Sequence, residues 1–118
     1  MKKILVVDDE ADIRDFVYGF FMERGYTVLM ASGGEEALEV VKAEKPDLIL
    51  LDINMRGMDG IAALKHIRDI DKKVKVLMVT AIDEQERMDE ACRLGATEYI
   101  NKPLVLEHLE NAVESNLK

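Results

Sequence analysis

The amino-acid sequence predicts an α/β fold in which a doubly wound sheet of five parallel strands carries helices on both faces. Short apolar runs rich in β-forming residues alternate with longer amphipathic stretches, and this alternation repeats about five times. Residues 4–7 and 48–51 are continuously apolar, as central strands covered on both faces must be. Strands separated by a helix usually pair in parallel through right-handed crossovers, which gives this architecture.

Five short runs of β-forming residues are the predicted strands, near residues 3–7, 27–30, 47–51, 75–79 and 98–100. The second of these ends in Met30 and Ala31, which carry no reactive group, whereas reactive side chains follow the other four. If the second strand lies at an edge of the sheet, all the reactive side chains converge on one rim.

Amphipathic segments near residues 11–24, 35–44, 60–69, 84–94 and 106–116 are the predicted helices. Gly25 and Gly95 follow two of them, where a residue with positive φ is favoured. The helix start signals are a capping box of Ser32 with Glu35 and the N-caps Asp59 and Asp83. In the first helix, the spacing predicts a core face made of Ile13, Phe16, Val17, Phe20 and Phe21.

Length and charge limit the possible functions. A chain of 118 residues is long enough for one domain and too short for two, so we expect residues 1–118 to form a single domain. Its net charge of −8 disfavours direct binding to nucleic acid or to an anionic membrane. The apolar run 4–7 is too short for a signal peptide or a membrane span, so a cytoplasmic location is expected. The single cysteine, Cys92, cannot form an intramolecular disulfide and is expected to be buried or half-buried.

Chemically active side chains follow four of the predicted strands at their carboxyl ends, where ligands bind in open α/β sheets. They are Asp8 with Asp9, then Asp52, Thr80, and Lys102. Each alone has a structural explanation, such as a turn or a helix cap. Together, the three carboxylates repel one another by roughly 4 kcal/mol per close pair at about 4 Å and an effective dielectric of about 20. A cation, or a proton on one of the carboxylates, is therefore expected among them.

Phosphoryl chemistry fits this set of side chains. Mg²⁺ prefers oxygen ligands and accepts phosphate oxygens into its coordination shell. A lysine and a hydroxyl suit a phosphoryl group, and an aspartate carboxylate is a nucleophile in aspartyl-phosphate chemistry. The residues therefore suffice for phosphoryl transfer to Asp52, with Asp8, Asp9 and Asp52 holding a divalent cation.

Several separated motifs resemble the receiver domain of two-component response regulators, over residues 2–117. They are the run 4–10 that ends in Asp8-Asp9-Glu10, the segment 48–55 around Asp52, the glycine-rich stretch 57–60, Thr80-Ala81, and Lys102-Pro103. The resemblance implies a flavodoxin-like (βα)5 fold with the strand order 2-1-3-4-5.

The resemblance also implies a role for each matching residue. Asp52 is implied as the phosphoacceptor and Lys102 as a contact of the phosphoryl group. The implied ligands of Mg²⁺, with Mn²⁺ as a possible substitute, are Asp8, Asp9, Asp52 and the main-chain carbonyl of Asn54. The domain would catalyse its own phosphorylation and dephosphorylation and no other reaction.

A conformational switch and its partners follow from the same resemblance. Thr80 is implied as the switch hydroxyl and Tyr99 as the switch aromatic, and the Lys102–Pro103 peptide bond is expected to be cis. The implied partners are a histidine kinase or histidine phosphotransferase, and a downstream protein target or an effector domain outside this chain. Tyr18 and Met22, which face outwards on the first helix, are expected to help dock the phosphodonor.

Two residues depart from the family pattern. Arg56 stands where a proline is usual, and Val105 stands where a capping residue is common.

Three other functions are open as alternatives. An Asp-nucleophile phosphohydrolase would have an Asp-x-Asp pair and a cap insertion, whereas Asp8 and Asp9 are adjacent. A flavin-binding module needs a hydroxyl-rich phosphate loop, for which residues 10–12 have the wrong charge. An interaction domain of the same fold that is not phosphorylated is the third alternative.

Overall fold

The computed structural model describes residues 2–80 and 85–117, in which five strands and five helices alternate. The strands are β1 (Lys3–Val7), β2 (Thr27–Ala31), β3 (Leu48–Asp52), β4 (Lys75–Thr80) and β5 (Glu98–Asn101). The helices are α1 (Ala11–Glu23), α2 (Gly34–Glu44), α3 (Gly60–Ile70), α4 (Gln85–Arg93) and α5 (Leu106–Leu117). The predicted N-cap Asp83 lies outside the described residues. In the described ranges, no helix has the length and apolar character needed to cross a membrane.

The strands form one parallel sheet in the order β2-β1-β3-β4-β5, which confirms the predicted doubly wound fold. Strand β2 lies at an edge, and the two continuously apolar strands, β1 and β3, lie inside the sheet. Four strands, β2 to β5, end one residue later than predicted. Asp52 pairs with Val79, and Thr80 pairs with Asn101, so both residues belong to the sheet. The sheet therefore fixes the backbone of two predicted site residues.

Two hydrophobic cores cover the sheet, one on each face. Helices α2, α3 and α4 pack on one face with β-strand residues such as Ile49 and Met78, and helices α1 and α5 pack on the other with Leu50 and Leu77. The predicted core face of α1 is partly wrong, because Phe16 is 48% exposed while Val17 and Phe21 are fully buried. The pattern of α1 contained more apolar residues than one buried stripe can take.

The helix ends match the sequence signals in part. Gly25 and Gly95 have positive φ, as predicted, and Asp59 caps α3 by accepting a hydrogen bond from the Ala62 N–H. The acidic residue predicted for the capping box, Glu35, is wrong. The carboxylate of Glu36 instead accepts hydrogen bonds from the N–H and the hydroxyl of Ser32. The N-cap of α2 is Gly33, one residue after Ser32, so the third residue of the helix is Glu36 and not Glu35.

Cys92 was expected to be buried or half-buried, and it is exposed on α4. The buried side of α4 is made by Met88 and Ala91, which are 3% and 1% exposed. Cys92 follows Ala91 by one position, a rotation of about 100° around the helix axis, and lies at the border of that buried side.

Candidate phosphoryl-transfer site

Three polar residues are buried at the carboxyl ends of neighbouring strands. Asp8 directly follows β1, Asp52 is the last residue of β3, and Thr80 is the last residue of β4. Their exposed fractions are 2%, 2% and 0%. Buried carboxylates are rare unless they are paired, so this rim requires compensating positive charge.

Lys102 supplies positive charge to the two buried carboxylates. Its Nζ donates to Asp52 Oδ2 at 3.2 Å and lies 3.8 Å from Asp8 Oδ2. Its main-chain N–H donates to the Thr80 carbonyl at 2.8 Å, which attaches the loop after β5 to the end of β4. The Lys102–Pro103 peptide bond is cis, as the sequence led us to expect. One lysine therefore joins the ends of three strands.

The charges at this rim shift the pKa of Asp52 and of Lys102. Burial and the neighbouring Asp8 carboxylate raise the pKa of Asp52 from 3.8 to about 6, although Lys102 acts in the opposite direction. For Lys102, burial acts to lower the pKa, but the carboxylates of Asp52 and Asp8 outweigh it, and the pKa is raised. Negative charge on Asp52 is thus only partly compensated by the lysine.

An acidic cluster after β1 could hold a metal ion. Asp8, Asp9 and Glu10 each offer a carboxylate oxygen, and these oxygens lie within 4.8 Å of one another. The Glu10 N–H donates to Asp8 Oδ1 at 2.9 Å, which orients the Asp8 carboxylate. This cluster includes Glu10, which was not predicted as a ligand, while Asp52 is joined to Asp8 through Lys102 instead. Oxygen ligands of this kind suit Mg²⁺.

The loop after β3 is held by contacts that the sequence did not predict. The Asn54 N–H donates to Asp52 Oδ1 at 3.3 Å. Arg87 of α4 donates to Asn54 Oδ1 at 3.3 Å and to Asp59 Oδ2 at 2.7 Å. The signal available in the sequence was a basic residue early in the fourth helix, seven positions after Thr80. Through Arg87, α4 is connected directly to the loop that follows Asp52.

The two departures from the family pattern have different surroundings. Arg56 contacts Asp9 Oδ2 through its main-chain N–H at 3.1 Å and through Nε at 3.4 Å. Val105 is 48% exposed and precedes α5, where its carbonyl accepts a hydrogen bond from the Leu109 N–H at 3.0 Å. Arg56 therefore adds a charge at the acidic cluster, whereas Val105 leaves the start of α5 without a polar capping side chain.

Gly60 allows the backbone of α3 to approach Asp52 closely. A Cβ at this position would lie 2.2 Å from the Asp52 carbonyl oxygen and 2.7 Å from Ile53 Cα. The Gly60 N–H also donates to the Ile53 carbonyl at 2.8 Å. The glycine thus permits α3 to begin directly beside the end of β3.

The two predicted switch residues differ in exposure. Thr80 is fully buried, whereas Tyr99 is 44% exposed. Tyr99 pairs with Met78, which precedes Thr80 by two positions on β4, so Thr80 and Tyr99 lie on the same face of the sheet. The tyrosine ring is directed outwards while the threonine is enclosed.

A parallel sheet of this order, with an acidic rim and a lysine after the last strand, is the architecture of a receiver domain in two-component signalling. The chain belongs to this family: the response regulator receiver domain matches residues 4–114.

Relatives with assigned roles cover almost the whole chain. Sporulation initiation phosphotransferase F of Bacillus subtilis is 39% identical over 98% of this chain and 94% of its own length. Chemotaxis protein CheY of the same organism is 35% identical over 98% of this chain and 97% of its own length. The alkaline phosphatase synthesis transcriptional regulatory protein PhoP, also from Bacillus subtilis, is 40% identical over 99% of this chain, which spans 49% of that protein.

Solved structures agree with the fold. The Vibrio cholerae chemotaxis protein CheY4 superposes with a TM-score of 0.94 and 34% identity, over 99% of both chains. A CheY-like receiver domain protein of Methanospirillum hungatei gives a TM-score of 0.95 and 30% identity, over 99% of this chain and 94% of that one.

Proposed function

We propose that residues 1–118 form one cytoplasmic receiver domain that accepts a phosphoryl group on Asp52 from a histidine kinase or histidine phosphotransferase. The observation that carries this proposal is the position of Asp52, buried at the strand ends with Lys102 Nζ 3.2 Å from its Oδ2. A carboxylate beside a phosphate-binding lysine has the chemistry of an aspartyl-phosphate acceptor. Membership of the receiver family supports the same role.

In the proposed transfer, a carboxylate oxygen of Asp52 attacks the phosphorus of a phosphohistidine. The P–O bond forms as the P–N bond breaks, and the imidazole nitrogen leaves with the electron pair and takes up a proton. Lys102 balances the charge on the transferred group, which is the main contribution that phosphoryl transfer requires of a protein. Water later hydrolyses the acyl phosphate and releases inorganic phosphate. The domain would therefore catalyse only its own phosphorylation and dephosphorylation.

The site is proposed to need a divalent cation, Mg²⁺ or in its place Mn²⁺. The proposed ligands are Asp8, Asp9, Asp52 and the main-chain carbonyl of Asn54. The donor set fits, because it consists of hard oxygen atoms and carries more negative charge than Lys102 balances. When bound, the cation would neutralise charge on the phosphoryl oxygens.

The proposed output is a change in the face formed by α4, β5 and α5, driven by Thr80 and Tyr99. The buried hydroxyl of Thr80 would turn towards the phosphoryl group, and the exposed ring of Tyr99 would move inwards. The partner at this face is proposed to be a downstream protein or an effector domain, since relatives include both a chemotaxis protein and transcriptional regulatory proteins. With a net charge of −8, this domain is not proposed to bind nucleic acid or membrane itself.

The test is phosphorylation by a small phosphodonor such as phosphoramidate, followed by intact-protein mass spectrometry. The wild type should gain one phosphoryl group in millimolar Mg²⁺ and none in EDTA. Asp52→Asn should gain none, and Lys102→Ala should gain it far more slowly. The modified protein should lose the group in hydroxylamine, as acyl phosphates do.

The outcome separates the candidate functions. A phosphohydrolase of the same fold would release phosphate without keeping a phosphoryl group, and an interaction domain would neither keep nor release one. A phosphoryl group retained by Asp52→Asn would show that another residue is the acceptor.

A further inference from the structure

Arg56 holds the Asp9 carboxylate by two hydrogen bonds to one oxygen. The main-chain N–H and Nε of Arg56 lie 3.1 Å and 3.4 Å from Asp9 Oδ2. These bonds connect the loop after β1 to the loop after β3. The Arg56 side chain is 89% exposed and that of Asp9 is 18% exposed, so the carboxylate is the more enclosed partner.

We propose that Arg56 competes with the divalent cation for Asp9 and so lowers the affinity of the site for Mg²⁺. This inference rests on the proposed function, in which Asp9 is a ligand. A cation bound through Oδ2 would displace the arginine from that oxygen. A cation bound through the other oxygen of Asp9 would lie close to the guanidinium, and the two positive charges would repel. Arg56 therefore opposes the cation in either geometry.

The size of the effect follows from the exposure of the guanidinium. Competition reduces the apparent affinity by the fraction of protein in which Asp9 is free. An exposed pair of this kind is weak, so removing the guanidinium should lower the Kd for Mg²⁺ about two- to five-fold. A proline at this position, which is usual in the family, would have neither the charge nor the N–H. The inference thus concerns a residue in which this chain differs from the common pattern.

The experiment measures the Kd for Mg²⁺ by amide NMR titration of the unphosphorylated protein. The variants are Arg56→Ala, Arg56→Lys and the charge-matched control Lys42→Ala. Lys42 is exposed in the last turn of α2, two residues before Glu44. The Glu44 carbonyl accepts a hydrogen bond from Lys3 Nζ, and Lys3 lies at the amino end of β1. Lys42 therefore lies at the opposite rim of the sheet from the acidic cluster.

Arg56→Ala should bind Mg²⁺ about two- to five-fold more tightly than the wild type, with Arg56→Lys between them and Lys42→Ala unchanged. The difference between Arg56→Ala and the wild type should shrink as KCl is added, because an exposed pair is screened by salt. A thermal melt of each variant confirms that it is folded.

Three results would overturn the inference. If Asp9→Asn abolishes Mg²⁺ binding while Arg56→Ala binds no more tightly than the wild type, Arg56 does not compete and the metal site stands. If Lys42→Ala tightens binding as much as Arg56→Ala, net charge is responsible. If Mg²⁺ shifts no amides near Asp9 in any variant, the inference and the proposed metal site both fail.

Discussion

Asp52 is a carboxylate whose surroundings oppose its negative charge. Burial and the Asp8 carboxylate raise its pKa to about 6, against the attraction of Lys102. The folded protein therefore binds this proton more tightly than the unfolded chain, whose aspartates have the ordinary pKa of 3.8. A cation bound beside Asp52 would stabilise its ionised carboxylate and so offset the unfavourable effects of burial and of Asp8.

Asp52→Asn should stabilise the metal-free protein increasingly as the pH rises. The stability that comes from the raised pKa of Asp52 is fully present below pH 3.8, where the side chain is protonated in both states. It is lost as the pH rises through about 6 and the folded protein must release this proton. The asparagine variant does not suffer this loss, so its advantage over the wild type should grow by up to about 3 kcal/mol. Urea unfolding of both proteins in EDTA, from about pH 4 to pH 7, measures the difference. A constant difference across this range would show that the pKa of Asp52 is not raised.

Gly60→Ala should destabilise the protein, whereas Gly19→Ala should stabilise it. A Cβ on Gly60 would meet the Asp52 carbonyl at 2.2 Å, but one on Gly19, inside α1, meets nothing within 4 Å. The expected change in the free energy of unfolding is a loss of about 1–3 kcal/mol for the first and a gain of about 0.5–1 kcal/mol for the second. Denaturant unfolding gives both values. Equal effects would mean that α3 can move away from β3 without cost.

At the scale of elements, β4 and β5 are expected to carry the signal from Asp52 to α4. A hydrogen bond from Thr80 to a charged phosphoryl oxygen is worth roughly 1.5–3 kcal/mol, which changes a two-state ratio by about 10- to 150-fold. Thr80→Ala should therefore accept a phosphoryl group on Asp52 but show a much smaller change in α4 and β5. Thr80→Ser, which keeps the hydroxyl, is the matched control and should behave like the wild type.

Amide NMR with and without a phosphoryl mimic tests this coupling. In the wild type and in Thr80→Ser, the mimic should shift the amides of residues 85–101. In Thr80→Ala, these shifts should be small while those around Asp52 persist. Equal shifts of residues 85–101 in all three proteins would mean that the signal bypasses Thr80, for which the contact of Arg87 with Asn54 offers another route.

Helix α1 is expected to dock the phosphodonor through its exposed apolar residues. Tyr18 and Met22 are 37% and 43% exposed, as their spacing predicted. The double variant Tyr18→Ala with Met22→Ala should slow transfer from the cognate kinase and leave phosphorylation by phosphoramidate unchanged. Ile70→Ala is the control, because Ile70 is 38% exposed on α3, across the sheet from α1. Transfer slowed equally by both changes would argue against a docking role for α1.

For the molecule as a whole, Mg²⁺ should raise the thermal stability of the unphosphorylated protein. A ligand that binds only the folded state at ten times its Kd adds about 1.4 kcal/mol to the free energy of unfolding. For a domain of this size, the melting temperature should rise by several degrees, and Asp9→Asn should lose most of the rise. Melts of the two proteins in EDTA and in millimolar Mg²⁺ measure this. A wild-type melt that does not respond to Mg²⁺ contradicts the metal site.

Most of the fold could be predicted because its signals are local. The apolar runs 4–7 and 48–51 and the alternation with helices determine the class of fold. The edge position of β2 was only a condition under which the reactive residues would converge, and the structure meets that condition. The strand order itself came from the family resemblance. Phe16 was misplaced because helical periodicity does not decide which side of a wide apolar face is buried.

The candidate site could be predicted less completely. Asp8, Asp52, Thr80 and Lys102 lie together because parallel strands bring their carboxyl ends to one rim. The contacts of Arg87 and Arg56 join residues that are 28 to 47 positions apart, and they depend on loop paths and side-chain rotamers. Local sequence preferences contain no information about such contacts.

Exposure of Cys92 gives the natural sequence a specific attachment point for spectroscopic probes. It is the only cysteine in the chain, and it lies on α4, the helix whose response to phosphorylation is proposed above. A thiol-reactive fluorophore or spin label would therefore modify one position without any substitution. Changes in the environment of α4 could then be followed in real time on an otherwise unaltered protein.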